Sequence, residues 1–259
     1  MNNTLQGLNV LVTRPGEPGD HLCKMIEQNG GQADHFPTIA FAPPPDKTAF
    51  EQGIAALGEQ DWIIFVSPYA VRVSIPSIRK AWPVFPPHTQ FAAVGAITAA
   101  ALREAGYEAI YPHHDWSSEA LIAMPEFQHL QDKKVAIIRG EGGRDVLEQE
   151  LAERGARILS VVAYKRTLPL PSTTENKGLD RLDNDEIDAI VCASFESIQN
   201  LKIILGETGW PRIKNIPLVV VSERIKTLAQ ALGFQTIWVA NNASHQAIID
   251  ILSARGSSQ

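Results

Sequence analysis

The pattern of apolar and polar positions along the chain predicts short buried strands that alternate with amphipathic helices. Leu147 and Leu151 lie four residues apart in a polar segment, which indicates a helix that ends at Gly155. Because strand and helix patterns alternate throughout, we expect parallel β-sheets covered by helices. The predicted strands are residues 9–13, 32–37, 62–66, 91–94, 108–111, 134–138, 157–164, 188–192, 218–221 and 236–239.

This pattern occurs twice along the chain. The similar pairs of segments are residues 10–14 and 135–139, residues 62–71 and 188–198, and residues 93–106 and 220–233. Each copy contains five predicted strands and their helices, which is typical of a flavodoxin-like doubly wound unit. The sequence therefore predicts an α/β fold with two flavodoxin-like parallel-sheet domains related by internal duplication. Ligands often bind in the cleft between such domains.

Two proline-rich runs, at residues 41–46 and 167–172, mark the expected domain boundaries. Such runs favour semi-rigid extended conformations, and each follows the second strand of its copy. We therefore expect the two copies to exchange pieces. The predicted arrangement is an outer domain of residues 1–37 plus 170–259, a middle domain of residues 44–164, and linkers at residues 38–43 and 165–169 that run side by side as a two-stranded hinge.

Composition narrows the class of protein. The 259 residues are 44% hydrophobic and 20% charged, as in globular proteins with room for two domains. No apolar run reaches the roughly 18 residues of a membrane span, and no signal pattern opens the chain. Cys23 and Cys192 lack metal-type spacing, which favours free thiols in the cytoplasm. The net charge of −6 argues against a nucleic-acid surface, so an anionic ligand would need a local pocket.

Two arginines stand at the carboxyl ends of predicted strands, where open parallel sheets bind ligands. Arg14 precedes Pro15, and Arg139 precedes a glycine-rich run. A guanidinium group binds a carboxylate through two parallel hydrogen bonds, so both residues are candidates for acid recognition. A structural salt bridge is the alternative for each of them.

Four smaller residues occupy equivalent strand ends. Ser67 precedes Pro68, the order expected of a helix N-cap followed by proline at the first helical position. Ser194 and Ser222 also have the pattern of caps, and Gly95 stands at the matching place in the first copy. Helix starts present free backbone N–H groups that favour anions. These residues therefore either only begin helices or bind a ligand as well.

Tyr164 ends a predicted strand where the second linker begins. A phenol is protonated at neutral pH and suits a hydrogen-bond donor or a weak acid. A tyrosine at this place can face the interdomain cleft and donate its proton to a leaving oxygen. The alternative is a tyrosine that only packs its ring at the hinge.

The sequence lacks motifs for cofactor, metal or serine-nucleophile chemistry. Asp145 stands where a GxGxxG motif needs its last glycine, and no GxxxxGK[ST] motif exists, so no cofactor is expected. His113, His114 and Asp115 are adjacent and do not project together as metal ligands, and the other histidines are scattered. A GxSxG elbow is also missing from the sequence, which argues against a serine nucleophile.

Taken together, these motifs resemble the uroporphyrinogen-III synthase family in order and spacing over nearly the whole chain. The matching segments are Val-Thr-Arg-Pro at 12–15, Phe-Val-Ser-Pro at 65–68, Val-Gly at 94–95 with Thr98, Ile-Arg-Gly at 138–140 before Gly143 and Arg144, Ala-Tyr-Lys-Arg at 163–166, the Ser194 segment and residues 221–233. Val-Val-Ser-Glu-Arg at 220–224 departs from the Gly-x-x-Thr pattern of the family at large. It resembles the gammaproteobacterial branch, and the departure leaves the contact at Ser222 open.

The resemblance implies an enzyme without a cofactor and, we expect, a monomer. Linear hydroxymethylbilane loses water and closes to uroporphyrinogen III with ring D inverted, through an azafulvenium cation and a spiro intermediate. Tyr164 matches the proton donor proposed for the family. Hydroxymethylbilane synthase is the expected upstream donor of the polycarboxylate substrate. The residues expected to place its carboxylates are Arg14, Ser67, Gly95, Thr98, Arg139, Ser194 and Ser222.

A rival function comes from another class of protein. A two-domain, hinge-bending protein that binds or senses a small anionic ligand would share this architecture, and fold alone does not separate the two. The absence of a secretion signal and of a helix-turn-helix segment weakens this alternative. An acyl or phosphoryl transfer enzyme would need a nucleophile and a phosphate loop that the sequence does not contain.

Overall fold

A computed structural model describes residues 4–114, 117–142, 145–169 and 177–256 of the chain. Several positions singled out in the sequence lie outside these residues. They are Asp115 of the histidine cluster, Gly143 and Arg144 of the glycine-rich run, and Leu170, Pro171 and Ser172 of the second proline-rich run.

The described residues form alternating strands and helices. The strands are β1 (Asn9–Val12), β2 (Gln32–His35), β3 (Ala40–Ala42), β4 (Trp62–Phe65), β5 (Gln90–Ala93), β6 (Ala109–Ile110), β7 (Lys134–Gly140), β8 (Arg157–Thr167), β9 (Ala189–Val191), β10 (Leu218–Val220) and β11 (Ile237–Val239). The helices are α1 (Glu17–Gln28), α2 (Lys47–Ala55), α3 (Pro68–Ala81), α4 (Ala96–Glu104), α5 (Ser118–Ala123), α6 (Val146–Glu153), α7 (Lys177–Asp183), α8 (Phe195–Ile213), α9 (Glu223–Ala231) and α10 (His245–Gly256). None of the described helices has the length and hydropathy needed to cross a membrane.

The backbone divides into two compact units. Unit 1 comprises Met1–Ala40 and Thr167–Gln259, and unit 2 comprises Phe41–Arg166. The chain therefore passes from one unit to the other twice.

Unit 1 contains a five-stranded sheet among its described residues, with the order β11-β10-β9-β1-β2 and parallel pairing between neighbours. The sheet is buried on both faces. Val10 and Val12 of β1 pack in one core with α1 and α10, whereas Leu11 packs in a second core with α7, α8 and α9. Alternation of side chains along a strand explains this division. The central strands are accordingly apolar on both sides, as expected for parallel sheets.

Unit 2 has a six-stranded sheet in the part of the chain that the structure describes, with the order β3-β8-β7-β4-β5-β6. The pairs β8–β7, β7–β4, β4–β5 and β5–β6 are parallel. Ile63 and Phe65 of β4 face a core with α2, α3 and α4, and Ile64 faces a core with α5 and α6. Helices therefore cover this sheet on both faces as well, which confirms the predicted parallel α/β architecture.

The first expected linker, residues 38–43, contains a strand that was not among the predicted ones. Ala40–Ala42 forms β3, an edge strand beside β8. Proline lacks the N–H that an inner strand would donate, so the sheet edge is where a strand next to Pro43 and Pro44 is tolerated. Strand β8 continues past Tyr164 to Thr167, through part of the second predicted linker.

Candidate active site

Three serines begin helices at the carboxyl ends of strands, which confirms their interpretation as N-caps. Each serine has extended backbone angles, and its hydroxyl accepts a hydrogen bond from a backbone N–H in the first turn. The pairs are Ser67 Oγ with Ala70 N at 3.1 Å, Ser194 Oγ with Ser197 N at 3.1 Å, and Ser222 Oγ with Ile225 N at 3.3 Å. Each hydroxyl keeps its own proton for donation to another group.

The phenol of Tyr164 meets the first of these caps. Tyr164 is only 2% exposed near the end of β8, and its hydroxyl oxygen lies 3.1 Å from Ser67 Oγ. Either hydroxyl is able to donate in this pair. Since Ser67 Oγ already accepts from a helix N–H, donation from Ser67 to the phenol oxygen leaves the phenol proton available to a third group.

A β-bulge and a glycine bring Tyr164 to this position. Arg139 of β7 pairs with Val162, and Gly140 pairs with Tyr164, so Ala163 is an extra residue in β8. A bulge re-aims the side chains beside it. A Cβ atom at Gly140 would lie 2.6 Å from the Tyr164 ring, too close for two carbon atoms. The position of the Tyr164 phenol therefore depends on the absence of a side chain at Gly140.

Two further aromatic rings surround Tyr164. Phe41 of β3 contacts Tyr164 edge to face with 5.5 Å between ring centroids, and Tyr69 of α3 does so at 4.8 Å. Phe41 and Tyr69 stack on each other at 4.0 Å. Burial raises the pKa of Tyr69 above its usual value and outweighs the opposite effect of Arg72. The cluster fixes the orientation of the Tyr164 ring.

Arg139 is held by carboxylates of its own unit. The guanidinium donates to Glu148 at 2.5 Å, to Asp145 at 3.0 Å and to the Gly142 carbonyl at 2.6 Å, and its side chain is 12% exposed. Burial lowers the pKa of Arg139, but the hydrogen bonds and charges of Glu148 and Asp145 prevail, so that this pKa is raised overall. Of the two interpretations left open by the sequence, this geometry supports the structural salt bridge.

Tyr164, Ser67 and Arg139 line one cavity of about 170 Å³ in unit 2. The described residues around it are Val66, Ser67, Ser118, Ile137, Arg139, Gly140, Gly142, Leu147, Glu148, Tyr164 and Arg166. Gly95 and Thr98 are not in this set. Gly95 begins α4 from an extended conformation, and Thr98 is buried in the first turn of α4 with 4% exposure.

Arg14, Ser194 and Ser222 belong to unit 1. Arg14 follows β1, and its carbonyl accepts a hydrogen bond from His35 Nε2 at 2.7 Å if that nitrogen carries the proton. Its guanidinium nitrogen Nη1 is buried and has no hydrogen-bond partner among the described residues. Burial disfavours the charged guanidinium and lowers the pKa of Arg14. In contrast to Arg139, Arg14 has donor capacity left for an anion.

Unit 1 also brings together two histidines that the sequence treats as scattered. The Nδ1 atoms of His21 and His245 lie 3.0 Å apart, with ring centroids at 4.8 Å. Within the described ranges, no group of three or more histidine, cysteine, aspartate or glutamate side chains has the arrangement of a metal site.

Sequence reasoning missed several residues around Tyr164. Phe41 fell in a predicted linker, and Tyr69 was passed over although it lies two residues after Ser67. Glu148 lies beside the buried Leu147 and Leu151 of helix α6, and its carboxylate accepts from both Arg139 and Ser160 Oγ. No signal in the sequence singles it out, because α6 carries three glutamates and a glutamine.

Sequence comparison connects the chain with a known family. A family model described as uroporphyrinogen-III synthase HemD matches residues 20–250. The uroporphyrinogen-III synthase of Escherichia coli (strain K12) is 33% identical over 252 residues, which cover 95% of this chain and all of the relative. The enzyme of the same name from Salmonella typhimurium is 32% identical over the same share of each chain.

Solved structures show the same fold. A mutant uroporphyrinogen III synthase from the thermophilic bacterium Thermus thermophilus superposes with a TM-score of 0.64 at 19% identity, over 97% of this chain and all of that one. A uroporphyrinogen-III synthetase from Helicobacter pylori gives a TM-score of 0.58 at 15% identity, over 96% and 100% of the two chains. At these identities the likeness concerns the fold alone.

Proposed function

The chain belongs to the uroporphyrinogen-III synthase family, and from this membership we propose that it converts linear hydroxymethylbilane into uroporphyrinogen III with loss of water and inversion of ring D. The observation that carries the proposal is the 33% identity with a named synthase over 95% of the chain. The protein is thus a cyclising lyase of tetrapyrrole biosynthesis. Family membership favours this enzyme over a hinge-bending binding or sensor protein.

Tyr164 is the proton donor in the proposed reaction. The carbon–oxygen bond of the hydroxymethyl group breaks as the phenol proton passes to the departing oxygen, so that water leaves and a delocalised azafulvenium cation remains. Donation from Ser67, 3.1 Å away, stabilises the phenolate that forms. The proton that ring D releases when the macrocycle closes restores the phenol.

The carbon skeleton is rearranged after water has left. The substituted carbon of ring D bonds to the cationic carbon and gives a spiro intermediate, which fragments and recloses with ring D inverted. Because the bilane closes unaided to the non-inverted isomer, the protein contributes mainly by holding the reacting carbons in place.

Helix starts and arginines bind the acidic side chains of the substrate in this proposal. Arg14 supports it best, since Nη1 is buried without a partner among the described residues. At Arg139 a substrate carboxylate would have to replace Asp145, whose side chain is 61% exposed. The residues proposed to place carboxylates are Arg14, Ser67, Gly95, Thr98, Arg139, Ser194 and Ser222.

We further propose that the two units are flavodoxin-like copies joined by a hinge. In support, the strand orders of both units read 2-1-3-4-5 when β1 and β7 are each taken as the first strand, with β3 added at one edge. The two crossings between units fall in the neighbouring strands β3 and β8, which are the proposed hinge. We also propose a cytoplasmic monomer supplied by hydroxymethylbilane synthase. Its free, buried Cys23 and Cys192 suit a reducing compartment.

The decisive experiment supplies the purified protein with hydroxymethylbilane. After oxidation to the porphyrins, chromatography separates isomer III from isomer I. Isomer III formed faster than spontaneous closure is the expected result. Isomer I alone, at the spontaneous rate, would refute the proposed function.

A further inference from the structure

Two histidines that take no part in the proposed reaction meet in unit 1. His21 lies on α1 and His245 is the first residue of α10, and their Nδ1 atoms are 3.0 Å apart with the ring planes at 74°. A hydrogen bond between two imidazoles needs one N–H donor and one bare nitrogen. The contact therefore requires that at least one of the two rings is uncharged.

Arg14 adds a permanent positive charge to this pair. Burial lowers the pKa of His245 most, and the charges of Arg14 and His21 lower it further, against a hydrogen bond with the Pro18 backbone that raises it. The buried Nη1 atom of Arg14 has no acceptor within the described residues. A buried guanidinium nitrogen without an acceptor is costly, and an anion that binds there removes the cost.

The surrounding carboxylates do not neutralise this cluster. Asp20 pairs with His35 Nδ1 at 2.8 Å, and Asp250 accepts from Gln246 Nε2 at 2.8 Å. The other titratable or charged groups on the elements packed around the pair are Glu17, Cys23, Lys24 and Glu27 on α1, Asp34 on β2 and Arg255 on α10. Glu17 lies in the first turn of α1 and has its own interaction.

The position of the cluster also favours an anion. Arg14 follows the carboxyl end of β1, His21 lies early on the 12-residue α1, and His245 opens the 12-residue α10. Helix N-termini carry partial positive charge and free N–H groups. Two imidazole nitrogens 3.0 Å apart would also suit a metal ion, but the neighbouring guanidinium repels one and the described residues supply no third ligand.

We propose that Arg14, His21 and His245 bind one carboxylate of the tetrapyrrole substrate and take up a proton from solvent when they do. The identity of this ligand rests on the proposed function. The added proton goes to the bare Nδ1 atom of the histidine pair, the hydrogen bond between the rings breaks, and both rings then donate to the carboxylate together with Arg14. Binding is therefore tighter at low pH, and it weakens as the pH rises until the bound pair also loses the added proton.

Steady-state kinetics with hydroxymethylbilane from pH 6 to pH 9 test the site. The wild-type KM should rise with pH. In His21→Gln and His245→Gln, the KM at pH 6 should increase about tenfold, which is the size expected for one hydrogen bond to a charged group. The KM of these variants should no longer rise with pH, and their kcat should stay within about twofold of wild type. His129→Gln, at an exposed histidine of unit 2, is the matched control and should behave as wild type. An unchanged KM and slope in both variants, or a loss confined to kcat, would overturn the site.

A second measurement separates failure of this site from failure of the proposed function. NMR titration of the histidine C2 protons, with and without citrate as a tricarboxylate probe, reports on the pair without any turnover. Citrate should raise the apparent pKa of the signals that disappear in His21→Gln and His245→Gln, and leave that of His129 unchanged. If citrate moves neither signal, the anion site is refuted even when isomer III is formed. If isomer III is never formed, the proposed function fails whatever citrate does.

Discussion

Replacing Tyr164 with phenylalanine removes one oxygen atom and keeps a buried ring. The ring contacts with Phe41 and Tyr69, at 5.5 and 4.8 Å, remain available to phenylalanine. The variant loses the 3.1 Å hydrogen bond with Ser67, whose hydroxyl still accepts from the Ala70 backbone. A neutral hydrogen bond contributes about 0.5–1.5 kcal/mol, so we expect the free energy of unfolding to fall by about 1 kcal/mol.

The expected effect on catalysis is larger than this loss of stability. A positioned acid contributes about 10²–10⁴-fold to a reaction rate, so the turnover of Tyr164→Phe should fall at least about 100-fold. A 100-fold loss corresponds to about 2.7 kcal/mol of transition-state stabilisation. The residual product should shift toward isomer I, since unaided closure of the bilane then competes with the enzyme.

Tyr69→Phe is the matched control, because it removes a phenol from the same aromatic cluster. We expect its turnover to stay within about threefold of wild type, a difference of less than about 1 kcal/mol. Both variants are compared in a coupled assay with isomer separation, after urea unfolding has shown that they fold. Wild-type turnover in Tyr164→Phe would refute the acid role, and equal losses in both variants would attribute the effect to the cluster instead of the phenol.

Three other properties follow from the packing and the charges. Gly140→Ala places a methyl group 2.6 Å from the Tyr164 ring, so isomer III formation should drop at least about tenfold; unchanged rates would show that the ring adapts. Burial raises the pKa of Cys23 and Cys192 to about 12, so iodoacetamide at pH 8 should modify them only after unfolding, as mass spectrometry will show. A lysine hydrogen bond lowers the pKa of Asp61; its stabilisation is present above the ordinary carboxyl pKa and lost as the pH falls through the lowered value. Urea unfolding should therefore find Asp61→Asn less stable than wild type at pH 7, and this difference should shrink as the pH is lowered below the ordinary carboxyl pKa; a difference that does not change with pH would refute the charge effect.

The alternation of strands and helices could be predicted from the sequence because the central strands are buried on both faces and are therefore apolar throughout. β4 reads Trp-Ile-Ile-Phe and all four residues are buried, so its apolar run stood out between turn residues. β3 was not predicted, because it is a three-residue strand that is followed at once by Pro43. A strand this short has no periodicity to detect, and its pairing with β8 is set by tertiary structure.

The sequence predicted which residues of the candidate site lie at strand ends, but not which of them come into contact. Ser67 and Tyr164 were found separately, but the bulge beside Gly140 that brings them within 3.1 Å leaves no mark in the sequence. The ion pair of Arg139 depends on α6 carrying Glu148 back over β7. Likewise, His21 and His245 stand at opposite ends of the chain and meet because α1 packs on α10.

The strand order of unit 1 has a consequence for biosynthesis. β1 lies between β2 and β9, and the backbone N–H of Asn9 donates to Asp188 at 2.8 Å, so β1 cannot complete its pairing in the sheet until β9 has been made. Unit 2 is continuous and can condense during that interval. Until α7, α8 and α9 have also been made, Leu11 of β1 lacks the core in which it is buried, and the nascent chain exposes apolar surface that favours aggregation.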